Sequence, residues 1–307
     1  MSQKVTLPRR MDILKALTTS PPVQDHVLPG LPTASVGGLV SPGGMGKTQL
    51  LLQTAVALAT GRPPFGGLFG IDASPDPAPA KVVLVVAEEG FDVMHQRLHD
   101  VVGSLLSQTH PLLDQDARDS IHSLLGENLH LYPMAGATRL LIDGRDNTGD
   151  GLEILREMAS DARLLIIDPL RQFHTGDEND SWAMTAVVQG LQSIATDRRC
   201  AVLAAHHTNK AATFNGQGDR AGAARGSAAF TDGVRWQLNL SPLDDQLSAT
   251  YGILKDDLPS YVRLDLAKAN YVAPQAPQVL RRGPGGVFEA VSREATTKVA
   301  SKRRRTA

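Results

Sequence analysis

The stretch SPGGMGKT at positions 41–48 constrains this chain more than any other. It follows an apolar run, 36–40, and precedes a run of helical pattern, 49–60. Strand, glycine-rich turn, helix is the context in which such a segment cradles phosphate, and the motif G-x-x-x-x-G-K-[ST] is the P-loop. Gly43, Gly44 and Gly46 let backbone N–H groups converge on an anion without Cβ obstruction, Lys47 neutralises β/γ-phosphate oxygens, and the Thr48 hydroxyl is placed to ligate Mg²⁺. Met45 within the turn and Gln49 after it complete the expected nucleotide-binding set. The first glycine of the motif is Ser41 here, and Gly43 and Gly44 restore flexibility. The bland alternative, a glycine-rich turn with an exposed lysine, does not explain the flanking strand and helix patterns.

The rest of the chain supplies a matching frame. Near-continuous apolar runs at 34–40, 81–87, 163–168 and 201–206 read as strands buried on both faces of a parallel sheet. Helical patterns at 48–60, 92–107, 151–160 and 180–198 supply the crossovers, so the fold class is α/β with a mostly parallel central sheet. Segments 61–79, 136–150 and 207–226 read as loops. After Gly233 the pattern changes to short strands, at 234–240, 251–254, 261–267 and 287–290, which predicts an antiparallel C-terminal extension. We expect an N-terminal arm with a helix for subunit contacts (1–32), one ATPase domain (33–291) and a basic tail (292–307).

Composition narrows the function classes. With 42% hydrophobic and 21% charged residues among 307, the chain is an ordinary globule. Lys plus Arg is 31 against 32 for Asp plus Glu, so no global basic field draws it to nucleic acid or an anionic membrane, and any DNA contact must come from locally clustered charge. The single cysteine, Cys200, sits in an apolar run and excludes an intramolecular disulfide, which fits a reducing cytoplasm. Charge and proline occupy the N-terminus where a signal peptide needs its apolar core, and no apolar run reaches transmembrane length; neither secretion nor membrane insertion is expected.

A second half-site lies about 120 residues after the P-loop: RLLIIDP is an apolar strand ending in Asp168, placed to hold Mg²⁺ through water. Asp-Pro also favours turns, so Asp168 gains its functional meaning from the P-loop. Position 169 is proline, where many P-loop ATPases carry the carboxylate that activates water. VVLVVAEEG supplies one instead: Glu88 and Glu89 end a strand at the sheet's carboxyl edge, where ligands of open α/β sheets bind. A general base on a neighbouring strand is the RecA-like arrangement.

Taken with the segments MDILKAL, HVLPG, LVSPGGMGKT, AEEGFDVMHQRLH, IIDPLRQFH, LAAHHTNK, ARGSAAFTDGVRW and AKANYVAP and the final GGV, the chain resembles the small hexameric replicative helicases of broad-host-range plasmids called RepA, within the RecA/DnaB-like group. The resemblance implies a RecA-like ATPase core, ATP and Mg²⁺ as cofactors, a hexameric ring, 5'-3' movement on single-stranded DNA, and plasmid initiator and primase proteins as further partners. It implies nucleotide binding by 43–48, catalysis by Glu88, Mg²⁺ coordination at Asp168, a γ-phosphate sensor in the histidine pair, and an arginine finger at Arg235.

These residues also read without the resemblance. His206 and His207 close an apolar strand and point to opposite faces, so they form no zinc pair; His207, facing the loop, is the expected sensor rather than His206, and one core histidine beside one loop histidine is the alternative. Arg235 lies outside the P-loop constellation, so it serves a site only in another subunit, unless it is a surface arginine stacked on Trp236; Lys268 is a second candidate for the trans role. The long segment 207–226 carries Lys210, Arg220 and Arg225 among small residues. Copies lining a ring channel concentrate charge for sequence-independent contact with single-stranded DNA; a plain surface loop is the alternative. Two rival functions share the residues: a RecA-like filament-forming DNA-dependent ATPase, and a slow nucleotide switch that docks a protein partner.

Overall fold

A computed structural model describes residues 10–62, 69, 78–109, 115–136, 150–208 and 228–292. Among these, nine strands form one sheet. β3 (Val36–Ser41), β4 (Val82–Val86), β5 (Leu129–Pro133), β6 (Leu164–Asp168), β7 (Ala201–His207) and β8 (Trp236–Pro242) run parallel in the order β8-β3-β7-β6-β4-β5. Antiparallel β9 (Tyr261–Ala269), β10 (Gln278–Arg282) and β11 (Phe288–Ala290) extend it beyond β8. A separate pair, β1 (His26–Leu28) and β2 (Leu31–Pro32), precedes the sheet.

Side-chain alternation in the buried strands builds two cores, one on each face. Val82, Leu84 and Val86 of β4 and Leu164 and Ile166 of β6 face one layer, against α2 (Lys47–Ala59) and α3 (Phe91–Thr109). Val83, Val85, Leu165 and Ile167 face the other, against α5 (Asp150–Met158), α6 (Ser181–Arg198) and α7 (Ala229–Gly233). Cys200 sits in this second core, fully buried, and burial pushes its thiol up to about 11. Both faces being covered explains why these strands read as unbroken apolar runs.

The antiparallel extension matches the sequence reading, but β8, its first strand, runs parallel to β3. The strand expected at 251–254 is absent: Tyr251 ends α8 (Asp245–Tyr251). Caps at both ends decide this, since Asp244 accepts from the Leu247 N–H at 2.7 Å and Gly252 turns the chain in the left-handed conformation, φ 63°. Two elements had no sequence signal strong enough to name them, α4 (Gln115–Asn128) and the edge strand β5, whose residues are only partly buried. The short N-terminal helix α1 (Ile13–Thr18), capped by Asp12, buries none of its residues.

Candidate functional site

The sheet order puts the expected residues on one edge. β3 delivers the P-loop, β7 lies beside it, β6 follows, and β4 flanks β6, so the carboxyl ends of four parallel strands converge. Ser41 is the last, fully buried residue of β3, where extended backbone needs no glycine; this is why serine is accepted there. Gly44 and Gly46 have φ of 75° and 92°, which disfavours any side chain. A Cβ on Gly46 would stand 2.8 Å from the Phe288 ring, whereas Gly43 and Gly44 have no neighbouring atom within 4 Å of that position. The turn borders open space at those two positions. Gln49 adds a buried amide whose nitrogen and oxygen have no hydrogen-bond partner among the described residues, and together these features fit a bound nucleotide.

Lys47 opens α2 and is only 8% exposed. Burial holds its ammonium below the ordinary lysine pKa, opposed by the charges of Asp168 and Glu88. The Thr48 hydroxyl donates to Asp168 Oδ2 at 2.5 Å. Asp168 is 2% exposed; burial is the largest influence and raises its pKa, against the Thr48 hydrogen bond and the Lys47 charge. A hydroxyl and a carboxylate so disposed, both hard oxygen donors, suit Mg²⁺.

Glu88 and Glu89 part company at the end of β4. Glu89 pairs with Arg97 of α3 at 2.6 Å. Glu88 is exposed at the site, and Gln172, in the 3-10 turn Leu170–Phe173 after β6, donates to its Oε1 at 3.4 Å. Among the described residues, this one long hydrogen bond is the only side-chain contact that directs Glu88. The histidines also separate. His206 is fully buried against Phe230, ring centroids 4.8 Å apart, with Nδ1 3.6 Å from Glu178. His207 Nδ1 faces Lys47 Nζ at 3.5 Å. An ammonium only donates, so in this contact Nδ1 is the accepting nitrogen; burial, then the Lys47 charge, lowers the His207 pKa.

Residues 5–213 match the model of the family described as AAA domain. The chain belongs to the AAA-domain family. Among solved structures it is similar to an ATPase domain, with TM-score 0.56 and 13% identity over 85% of this chain and 86% of that one. It is similar also to a DnaB-like replicative helicase solved with its interactions with primase, with TM-score 0.55 and 15% identity over 85% of this chain and 58% of that longer one. At these identities the likeness is one of fold, and it is the RecA-like P-loop ATPase fold.

This AAA-domain ATPase holds its remaining basic candidates elsewhere. Arg235 is exposed immediately before β8, its N–H bonded to Val36 O at the start of β3. The P-loop begins at the other end of β3, roughly 17 Å away at about 3.3 Å per residue. Stacking on Trp236 is not its role: that indole is buried in the core and donates to Pro29 O at 2.9 Å. Lys268 lies at the same edge, where its ammonium donates to Thr231 O at 2.7 Å and Asp232 O at 3.4 Å, at the end of α7. Lys210, Arg220 and Arg225 lie outside the described residues, as do most of 61–79 and the tail from 293. Gln172, Arg97, Arg282 and Phe288 were not singled out from sequence. The first two follow Asp168 and Glu89 closely enough to have been suspected; the last two carry no local signal. No helix among the described residues is long and apolar enough to cross a membrane.

Proposed function

We propose that this ATPase is a ring helicase, a homo-oligomer, hexameric by its motif resemblance, that couples ATP hydrolysis to 5'-3' movement on single-stranded DNA in plasmid replication. The observation that carries the reading is the separation of Arg235 from its own P-loop. An exposed cation at the opposite edge of the sheet serves a nucleotide only across a subunit boundary. The exposed apolar face of α1, with Leu14 and Leu17 each more than three-quarters exposed, supports contact with another copy. The likeness to a DnaB-like helicase fold agrees, and single-stranded DNA, initiator and primase as partners rest on the motif resemblance.

Bound Mg·ATP supplies an electrophilic γ-phosphoryl group and an ADP leaving group. Glu88 accepts a proton from the attacking water. Thr48 and Asp168 would hold the metal, and Lys47 with the loop amides of 43–48 neutralises phosphate charge. His207, beside Lys47 at the end of β7, reports phosphate loss to the chain that follows, and Arg235 of the neighbouring subunit stabilises charge on the transferring group.

The test is complementation, preceded by native mass and by ATPase assays with and without single-stranded DNA. Arg235→Ala keeps an intact P-loop and Lys47→Ala keeps an intact finger, so each alone is inactive and co-assembled mixtures regain turnover. Mixtures shown to co-assemble that never exceed the sum of their parts would end the shared-site reading. Filaments in place of closed rings would favour the recombinase-like alternative, and turnover indifferent to DNA would favour the nucleotide switch.

A further inference from the structure

Strands β10 and β11 stand at one end of the sheet, separated from the central β3 by β8 and β9, yet the hairpin they form reaches the P-loop. Arg282, the last residue of β10, donates through Nη2 to Met45 O at 2.8 Å and towards Gly44 O at 3.4 Å. Its guanidinium carbon stands 5.7 Å over the ring of Phe288, the ring that occupies the space a Cβ on Gly46 would need. Gln53 of α2 locks the hairpin in place: its amide donates to Phe288 O at 2.9 Å and accepts from Phe288 N–H at 2.8 Å.

The consequence follows from peptide planarity. In a trans peptide the C=O and the next residue's N–H point in opposite directions. The Met45 carbonyl shares a plane with the Gly46 N–H, and the Gly44 carbonyl with the Met45 N–H. Drawing both carbonyls onto Arg282 turns those two N–H groups away from it. At Gly44 and Gly46, whose backbones are the freest in the turn, nothing intrinsic to the residue would hold that orientation.

We propose that Arg282 is a positioning residue for nucleotide binding, which presets the peptides 44–45 and 45–46 so that their amides converge on phosphate oxygens. This rests on the P-loop reading above. Arg282 touches no reacting atom in this role and transfers no proton. A guanidinium suits it better than an ammonium: Nη2 reaches both carbonyls while the planar group stands over an aromatic ring, a stacking that an ammonium does not reproduce. Arg282 Nε is buried without a partner among the described residues, so the two carbonyls and the ring are what hold the side chain there. Preorganising the loop before ligand arrives removes an ordering cost from the binding step.

The experiment uses the full chain and the probes Mg·ADP and AMP, since only the former presents a β-phosphate to the loop. Arg282→Ala should weaken Mg·ADP binding about tenfold or more, the effect of losing a charged hydrogen bond, while AMP binding changes by less than about twofold and the thermal midpoint stays near wild type. Arg282→Lys should fall between. Arg281→Ala, whose side chain pairs with Glu289 at 2.7 Å instead, should bind Mg·ADP as wild type. Steady-state ATPase should show the change in KM, with kcat within about threefold. Hydrogen exchange should show lost protection at amides 45–47. Unchanged Mg·ADP affinity in both Arg282 variants overturns the proposal, and so does an equal loss for AMP. Lys47→Ala separates the failures: if it too leaves Mg·ADP binding intact, the P-loop reading falls; if it abolishes binding while Arg282→Ala does not, only the positioning role falls.

Discussion

The Thr48 hydroxyl and the Asp168 carboxylate meet in a 2.5 Å hydrogen bond across 120 positions of sequence. Neither residue alone binds a divalent cation strongly; the contact brings the helix that follows the P-loop and the end of β6 to a common point. Asp168→Asn keeps the shape and removes the charge. Nucleotide affinity measured in EDTA should stay within about twofold of wild type, whereas the gain on adding Mg²⁺ should shrink by about tenfold or more. An undiminished Mg²⁺ gain would remove Asp168 from the metal site.

Glu88 and Glu89 are adjacent, but among the described residues only Glu89 has an arginine partner. Glu88→Gln should bind ATP nearly normally and hydrolyse it slower by about two powers of ten, since an amide accepts no proton. Glu89→Gln should cost turnover only a few-fold. Its ion pair with Arg97 is partly solvated, with side chains 22% and 29% exposed, so the stability loss should be no more than about 1 kcal/mol. Single-turnover hydrolysis by the two variants decides between them; the larger loss at Glu89 would shift the base by one residue.

The two histidines should fail in different assays. On the proposed helicase reading, His207→Asn should leave nucleotide affinity close to normal and uncouple turnover from DNA, since that ring faces Lys47. His206→Ala removes a fully buried ring packed on Phe230 and should lower stability by about 1–3 kcal/mol in urea titration. A purely thermodynamic effect of His207→Asn, with DNA stimulation retained, would rule it out as sensor.

His174 makes a pH prediction. It is fully buried, and burial first, then the charges of Arg171 and His206, holds its pKa at about 4, below the ordinary histidine value of 6.5. The unfolded chain binds this proton at higher pH than the folded one, so folding stability falls as pH drops through the window from about 6.5 to about 4. The full loss from this group is on the order of 3 kcal/mol. Urea midpoints of wild type and His174→Leu should diverge in pH dependence within that window and run parallel above pH 7; parallel curves throughout would exclude the effect.

Where a local rule dictated structure, the sequence could be read. The P-loop, Asp168, the Glu88–Glu89 pair and the four central strands announce themselves through glycine spacing, terminal carboxylates and unbroken apolar runs. At the edges those rules weaken. β5 is only partly buried, so Leu129–Pro133 lacks the continuous apolar signature, and α4 is largely polar with only Ile121 buried. Residues 251–254 carried enough apolar character to suggest a strand, but Asp244 and Gly252 cap a helix there. Arg282 was illegible for another reason: its partner Met45 lies 237 positions away, and only the folded sheet brings them together.

Cys200 gives the molecule an internal gauge. Its thiol is sealed in the core with a pKa pushed up to about 11, so in the native state it is both shielded and protonated, and a thiolate-directed reagent finds no nucleophile. Labelling then proceeds only through openings that separate the layer of α5 and α6 from the sheet. The rate of thiol modification, followed with and without nucleotide, therefore reports how firmly ligand at the carboxyl edge clamps the opposite half of the fold, using a reporter the chain already carries.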